Sequence, residues 1–299
     1  MAWAVESKRL SEWSEGEGRP TDSFLSLTSL SHLPNSSAAH AMAKPTKTSV
    51  TAKPPTASTS AIPWPAFSPP SHPLQLTQLY PGLLTIDAFL PKRDLTTWLS
   101  FLTSPGTPIV LQPSPPKKRG EASRTNDRFG VQDAAFAEEL WTKTGLKEVV
   151  CGEGGLKSST KGKEAVGLNP NIRLYRYEAG AYFGRTFLSP SQEQVEADQP
   201  VISAHYDDDF FDPATKRRSE WTLLVYLTGE EDGVVGGGTA FYPVELPGNS
   251  RGRTMSSVVV PLLRGSAVLH QHGASCMLHE GVRVDAGVKW VVRSDVMFG

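Results

Sequence analysis

Short segments with the two-residue period of β-strands fill the sequence from Asn171 onward, and they restrict the fold more than any other feature. Ile172 to Tyr177 alternates in character, and Trp221 to Leu227 is a mostly apolar run of strand length. Three further such segments, separated by Gly, Pro or Asp turns, are Ser257 to Leu263, Ser266 to His270 and Val288 to Val292. Since helical segments precede these strands, the sequence predicts an α+β domain built on a β-sandwich or barrel.

Two amphipathic helices are predicted ahead of the strands. Pro91 suits the first turn of the first helix, and the apolar residues that follow at helical spacing are Leu95, Trp98, Leu99 and Leu102. The buried face of the second helix is predicted to be Phe136, Ala137, Leu140 and Trp141. The Pro- and Lys-rich stretch at 113–128 and the Gly-rich stretch at 152–167 are predicted to be loops.

Residues 1–73 differ in composition from the rest of the chain. They are rich in Ser, Thr, Pro and Ala and contain few aliphatic clusters. Such a segment cannot bury enough apolar surface to offset the entropy lost when its backbone is ordered. We therefore predict a disordered tail over 1–73 and a folded domain over 74–299.

The overall composition argues against several classes of function. The chain has 299 residues and a net charge of -1, so bulk charge does not attract it to nucleic acid or to an anionic membrane surface. It contains no uninterrupted apolar run of transmembrane length, and its two cysteines, Cys151 and Cys276, suit a reducing compartment. We expect a cytoplasmic or nuclear protein that binds neither nucleic acid nor membrane.

A His-x-Asp pair provides the first indication of chemistry. His205 and Asp207 are two apart in an extended segment, so their side chains point to the same side. An imidazole and a carboxylate that converge there, with one further histidine, form the facial triad that binds non-haem Fe(II) and leaves positions open. His279 can supply that histidine, and His270 and His272 are alternative ligands or outer partners of the ligands. A jelly roll is favoured because these residues fall on separate strands.

Lys289 lies among apolar residues in the last predicted strand, between Val288 and Trp290. Two interpretations of this position remain open. The ammonium group could reach the surface along its aliphatic stem. It could instead meet an anion inside the barrel, because a buried ammonium group requires a partner.

The segments that carry a family resemblance occur in order along the chain: Leu174 to Gly180, His205-Tyr206-Asp207, Gly237 to Phe241, and His279 followed by Lys289. Together they resemble the Fe(II)- and 2-oxoglutarate-dependent oxygenases, specifically the prolyl 4-hydroxylase-like branch. The resemblance covers roughly residues 74–298. It implies a double-stranded β-helix (jelly roll) core with supporting N-terminal helices.

Carried over to this chain, the resemblance implies that His205, Asp207 and His279 bind iron. Lys289 would bind the distal carboxylate of 2-oxoglutarate, with Arg293 on the same strand face as its rival, since a charge-assisted bond in a dry barrel selects a dicarboxylate. Tyr177 and Tyr226 could donate their hydroxyl groups to this cosubstrate or could be ordinary barrel residues. The implied cofactors are Fe(II), 2-oxoglutarate and O2, with ascorbate as an optional reductant.

In the implied reaction 2-oxoglutarate is decarboxylated to succinate while a C–H bond of the substrate is hydroxylated, with a prolyl residue of a protein as the first candidate. The residues predicted to contact substrate are Arg124, Asn126 and Arg128, which could equally form a surface loop with capping side chains. Two alternatives stay open. One is a catalytically silent jelly-roll module that binds metal or ligand, and the other is an oxygenase of a small molecule.

The chain departs from the family pattern between Gly184 and His205. The polar stretch from Arg185 to Ala204 separates Phe183-Gly184 from the His-x-Asp pair, whereas the family joins the two almost directly. This insertion is either a surface loop, which closure entropy tolerates, or a translated intron. Sequencing the transcript distinguishes the two, because an abundant cDNA that contains the codons for 185–204 excludes the intron.

Overall fold

The computed structural model describes residues 62–114, 123–184, 205–243 and 257–299. Within these ranges the secondary structure is mostly antiparallel β-sheet with few helices. The helices are α1 (Lys92–Thr103), α2 (Ala134–Lys143) and α3 (Leu146–Cys151). The strands are β1 (Thr77–Tyr80), β2 (Leu83–Ile86), β3 (Gln112–Pro113), β4 (Ser123–Arg124), β5 (Asp127–Gln132), β6 (Ala165–Leu168), β7 (Asn171–Tyr177), β8 (Phe183–Gly184), β9 (Phe211–Asp212), β10 (Arg217–Tyr226), β11 (Val235–Gly236), β12 (Thr239–Tyr242), β13 (Val258–Val260), β14 (Ala267–Gln271), β15 (Leu278–Gly281), β16 (Val284–Ala286) and β17 (Lys289–Phe298).

The strands form a larger and a smaller sheet. The larger sheet has the order β1-β2-β14-β10-β17-β7-β5-β3, with β6 beside β17 and β9 beside β10. The smaller sheet has the order β13-β12-β15-β8-β4, and β11 and β16 pair as a separate ribbon. A cluster of buried side chains combines residues of both sheets, among them Tyr226 and Val291 from the larger and Phe241 and Val260 from the smaller. The two sheets therefore face each other across this cluster.

The two-residue period of β17 assigns its side chains to opposite faces. Trp290 and Val292 belong to the apolar cluster on the helix side, whereas Val291 belongs to the cluster between the sheets. Alternation therefore places Lys289 and Arg293 on the inner face with Val291. The sequence pattern of this strand thus brings two cations into the space between the sheets.

The predicted helices are confirmed in position and in buried face. α1 buries Leu95, Trp98 and Leu102, and the buried residues of α2 are Phe136, Ala137, Leu140 and Trp141, as the helical spacing predicts. Asp133 caps α2 by accepting a hydrogen bond from the Phe136 backbone N–H at 2.9 Å. Sequence analysis missed α3, which is only six residues long.

Three predicted boundaries require correction, and one is the end of the predicted loop at 152–167, whose last residues belong to β6 (Ala165–Leu168). The stretch 113–128, predicted to be a loop, contains β4 and the beginning of β5, and β5 pairs along its length with β7. The predicted tail ends earlier than residue 73, because residues 62–73 are not detached from the domain. The rest of the predicted tail, 1–61, and the 185–204 insertion lie outside the described residues.

Residues 62–73 have no helix or strand, but aromatic packing holds them against α1 and α2. The ring of Phe67 is buried and lies 5.4 Å from the rings of both Trp98 and Phe136. The buried Asp94 carboxylate accepts hydrogen bonds from the backbone N–H and the hydroxyl group of Ser68, at 2.7 and 2.8 Å. A Pro-rich composition predicts a tail, yet a few aromatic residues suffice to anchor such a segment.

We expect Phe67→Ala to lower the free energy of unfolding by about 3 kcal/mol, because it removes a buried aromatic side chain and leaves a cavity against Trp98. Urea denaturation followed by circular dichroism measures this change. Ala66→Ser, at an exposed position of the same segment, is the matched control and is expected to change stability by less than about 0.5 kcal/mol. Equal stability of Phe67→Ala and the unsubstituted protein would show that residues 62–73 do not contribute to the folded domain.

Candidate metal centre

His205 and His279 are brought together by backbone pairing. The His205 N–H donates to the His279 carbonyl at 3.1 Å, and the His279 N–H donates to the His205 carbonyl at 3.2 Å. Residues that exchange both bonds across an antiparallel bridge stand directly opposite each other, and the two rings lie 4.2 Å apart. On the other side of β15, Phe241 pairs with His279 and stacks on its ring at 5.4 Å.

The Asp207 carboxylate is surrounded by three imidazole groups. Its oxygens lie 3.8 Å from His205 Nε2, 3.6 Å from His270 Nε2 and 3.6 Å from His279 Nε2. These separations are too long for hydrogen bonds. They are of the order expected for donors that share a metal ion, since ligands about 2.1 Å from the ion are about 3.0 Å apart at an octahedral centre and about 3.4 Å apart at a tetrahedral one.

The hydrogen bonds of the histidines direct free lone pairs toward Asp207. His279 Nδ1 lies 2.9 Å from the Met277 carbonyl and His270 Nδ1 lies 3.2 Å from the Gln271 carbonyl, so each Nδ1 donates and each Nε2 carries the lone pair. His270 Nε2 and both ring nitrogens of His205 are buried without a hydrogen-bond partner among the described residues. Buried polar atoms without partners are uncommon in folded proteins, and here a metal ion would satisfy them.

Burial keeps these imidazoles neutral, which is the form that binds metal. It lowers the pKa of His205 to about 3 and lowers the pKa values of His270 and His279 as well. Burial by itself would raise the pKa of Asp207, but Arg293 and the histidines hold it well below its usual range. Because the histidines are neutral near pH 7, the Arg293 guanidinium is the main cause, and its Nη1 donates to Asp207 Oδ1 at 3.0 Å.

A chain of hydrogen bonds orients the other oxygen of Asp207. Thr222 Oγ1 lies 3.1 Å from Asp207 Oδ2 and 3.0 Å from His272 Nδ1, and His272 Nε2 lies 3.0 Å from Ser219 Oγ. Since a hydroxyl group has one proton, Thr222 donates to Asp207 and accepts from His272, while Ser219 donates to His272. His272 is therefore an outer partner of the site, one of the two roles that sequence analysis left open.

Among the described residues, two sets of three donors have ligand atoms within 4.8 Å of one another: His205, Asp207 and His279, or His270, Cys276 and His279. Cys276 Sγ lies 4.0 Å from His279 Nδ1, which is the nitrogen already bound to the Met277 carbonyl. Burial also raises the pKa of the Cys276 thiol to about 11, so the sulfur stays protonated near pH 7. The geometry favours the set that contains Asp207, the candidate iron site that the sequence predicts.

Lys289 lies on the same inner cavity as the metal donors. Its side chain is buried, and its Nζ donates a hydrogen bond to the Gly237 carbonyl. The Nζ lies 5.1 Å from the ring centre of Tyr177 and 5.3 Å from that of Tyr226, within cation–π range. No carboxylate lies within 4.0 Å of this ammonium group in the described part of the chain, and burial lowers its pKa to about 7. Lys289 does not reach the surface, which excludes the first of its two sequence interpretations.

The other predicted cosubstrate residues, Tyr177, Tyr226 and Arg293, line this cavity. The Tyr226 hydroxyl group is 2.6 Å from Thr239 Oγ1, and burial raises the pKa values of Tyr177 and Tyr226. The Arg293 guanidinium already donates a hydrogen bond to Asp207. Binding of 2-oxoglutarate by these three residues stays a prediction.

The structure separates the three predicted substrate residues. The Arg124 guanidinium lies 4.6 Å from the ring centre of Phe183, which in turn contacts the His205 ring at 3.9 Å, so Arg124 adjoins the metal centre. Arg128 is exposed and borders a separate surface groove of about 580 Å³. Asn126 is buried and donates to the Asp127 carbonyl at 3.1 Å, as expected of a residue that holds a loop. Contact of any of the three with substrate stays a prediction.

We expect Lys289→Met to stabilise the protein by about 1–3 kcal/mol at pH 7, because it removes a buried ammonium group that lacks an acidic partner. Folding lowers the pKa of Lys289 to about 7, so the unfolded chain binds more protons than the folded chain between pH 7 and about 10.4. The stability of the unsubstituted protein therefore rises with pH in this range. The stability difference between Lys289→Met and the unsubstituted protein should therefore be largest below pH 7. It should shrink by at most about 1.4 kcal/mol per pH unit above pH 7.

Urea denaturation of both proteins between pH 6 and 9 measures this difference. Lys92→Met, at an exposed position of α1, is the control and should show no such pH dependence. A constant difference for Lys289→Met across this range would contradict the lowered pKa of the Lys289 ammonium group.

No family model matches the sequence, and no curated protein matches it. Solved structures that are similar to this chain include prolyl hydroxylases. A viral collagen prolyl hydroxylase from Paramecium Bursaria Chlorella virus-1, in complex with 2OG, is 16% identical over 72% of this chain and 96% of its own, with a TM-score of 0.41. A Pseudomonas putida prolyl-4-hydroxylase is 16% identical over 72% and 91%, with a TM-score of 0.43. A Trichoplax adhaerens prolyl hydroxylase, in complex with a hypoxia inducible factor peptide fragment, is 13% identical over 72% and 83%, with a TM-score of 0.44.

Proposed function

We propose that this chain is a jelly-roll oxygenase that depends on Fe(II) and 2-oxoglutarate and hydroxylates a C–H bond. The proposal rests on the observation that one buried cavity contains two different charged sites. One site is an ionised carboxylate among imidazole lone pairs, and the other is an ammonium group without an acidic partner among the described residues. A metal ion and a dicarboxylate together satisfy both.

His205, Asp207 and His279 would hold the iron, because neutral imidazole and carboxylate form the donor set that suits non-haem Fe(II). Bound Fe(II) would supply the activation of O2, coupled to the conversion of 2-oxoglutarate to succinate and carbon dioxide. Arg293 and Thr222 hold the two oxygens of Asp207 in place, so the carboxylate is oriented before metal arrives.

Lys289 would bind the distal carboxylate of 2-oxoglutarate through its ammonium group. One of its protons is donated to the Gly237 carbonyl, and further donors remain for an incoming carboxylate. In a dry cavity such a charge-assisted bond is strong, and it would raise the pKa of Lys289 from about 7. Arg293 remains the rival anchor, although its Nη1 already donates to Asp207.

Apolar side chains would exclude water from the reacting centre. Leu224 and Val291 line the cavity beside the cations, and Phe183 covers the ring of His205. Exclusion of water strengthens the electrostatic interactions inside the site and protects reactive species from side reactions. Arg124, stacked on Phe183, is the predicted substrate residue nearest to this side of the metal centre.

A prolyl residue in a protein is the substrate class that we propose to test first, in the cytoplasm or nucleus. None of the described helices is both long and apolar enough to span a bilayer. The alternatives are an oxygenase of a small molecule and a silent module that binds metal or ligand without turnover. The ionised Asp207, together with a Lys289 that has no acidic partner among the described residues, favours the enzyme, because a silent module does not require both.

Formation of succinate from 2-oxoglutarate with Fe(II) and ascorbate tests the reaction. We expect turnover in the unsubstituted protein and a loss of at least about 100-fold in His205→Ala and Asp207→Asn, which remove a ligand. Val268→Ala is the matched control, since it trims a buried residue of the same inner cluster without removing a donor. Circular dichroism confirms that each variant is folded. The same low level of succinate formation in all four proteins would overturn the enzyme proposal.

The affinity for 2-oxoglutarate should depend on pH. Binding requires the charged form of Lys289, whose pKa is about 7 in the free protein, so the affinity is highest below pH 7. Above pH 7 it should fall by up to about tenfold per pH unit. Anaerobic calorimetry with Mn(II) in place of Fe(II) between pH 6 and 9 measures this slope. Lys289→Arg, which stays charged, should remove it, and an unchanged slope in that variant would contradict the role of Lys289.

A further inference from the structure

His270 is a buried histidine of β14 that the three-ligand site does not use. Its side chain is 1% exposed and lies on the inner face of the larger sheet, where it pairs with Thr222 on one side and Leu83 on the other. Its ring lies 4.6 Å from that of His279 and 5.2 Å from that of Phe241. It is therefore part of the wall of the metal cavity.

We propose that His270 is a fourth protein ligand of the metal ion that His205, Asp207 and His279 hold when no cosubstrate is bound. This inference rests on the metal site of the proposed function. His270 Nε2 stands 3.6 Å from Asp207 Oδ2, the same distance as His279 Nε2 from that oxygen. The two imidazoles are thus placed alike with respect to the carboxylate.

Among the described residues, the Nε2 atom of His270 has no hydrogen-bond partner. Its Nδ1 lies 3.2 Å from the Gln271 carbonyl, which fixes the proton on Nδ1 and the lone pair on Nε2. That Nε2 is buried and makes no hydrogen bond with any described residue. A lone pair facing a carboxylate oxygen is unfavourable unless a cation lies between them.

His272, two residues further along the chain, shows what an ordinary buried histidine looks like in this fold. Both of its ring nitrogens have hydroxyl partners at 3.0 Å, Thr222 for Nδ1 and Ser219 for Nε2. His270 is buried at least as deeply, with 1% of its surface exposed against 5% for His272, but it has one hydrogen-bond partner among the described residues. Burial therefore does not account for the free Nε2 of His270, whereas metal binding does.

A fourth protein ligand changes what the metal can bind. Three imidazoles and one carboxylate make a nitrogen- and oxygen-donor set that suits four-coordinate Zn²⁺ or Co²⁺. On a six-coordinate ion, four protein ligands leave two open positions instead of three. Replacement of His270 by an apolar residue should therefore free one coordination position.

Titration of Co²⁺ into the metal-free full-length chain, without 2-oxoglutarate, tests the proposal. Sites with four or five ligands give stronger visible absorption than six-coordinate sites. We expect His270→Phe, which keeps a ring against Phe241, to raise the Kd for Co²⁺ at least about tenfold and to weaken the visible band per bound ion. His205→Ala should weaken binding as well, and Val268→Ala should leave both affinity and spectrum unchanged.

The outcomes separate this proposal from the proposed function. If His205→Ala loses Co²⁺ while His270→Phe keeps both the affinity and the spectrum, His270 is not a ligand and the three-residue site stands. If His270→Phe weakens binding but the spectrum per bound ion is unchanged, His270 only positions its neighbours, and the proposal is overturned. If the unsubstituted chain does not bind Co²⁺, the metal site and the fourth ligand fail together.

A measurement on the unsubstituted protein avoids any dependence on the folding of a variant. Pulsed electron paramagnetic resonance of the Cu²⁺-loaded chain counts the imidazoles bound to the metal. Three coupled imidazoles support the proposal, and two overturn it.

Discussion

The Asp207 carboxylate is a charge in the interior of a β-sheet protein, and its surroundings are arranged to keep it ionised. Arg293 donates a hydrogen bond to one oxygen, and Thr222 donates to the other. A buried carboxylate without these partners would take up a proton. The ion pair with Arg293 therefore creates the anionic centre around which metal ligands can gather.

Strand alternation explains how this centre can exist in a protein of ordinary composition. Trp290 and Val292 of β17 pack against the helix side, while Lys289 and Arg293 project between the sheets. The two cations have different partners, since Arg293 is paired with Asp207, whereas Lys289 donates to a carbonyl group and lies over two aromatic rings. One strand thus supplies both a support for the metal ligand and a receptor for an anion.

Much of the fold follows from local patterns. The helical spacing identified the buried faces of α1 and α2, and the alternation after Asn171 identified the strands that form the core of the larger sheet. The limit of the folded segment at residues 62–73 could not be predicted from composition, because its order depends on the contact of Phe67 with rings more than 30 positions away in sequence. Long-range contacts of this kind leave no local period.

The sequence by itself determined that a histidine and an aspartate share one side of an extended segment, and that Lys289 lies in an apolar strand. Spacing alone fixes such facts, because the side-chain period of a strand is two residues. Only the tertiary structure decided that His270 turns a free Nε2 toward Asp207 while His272 is fully hydrogen-bonded. His270 and His272 are two residues apart, so strand periodicity alone does not distinguish them. Their hydrogen bonding differs because different side chains of the neighbouring strands contact the two rings. The pairing of β14 with β10 determines which side chains these are.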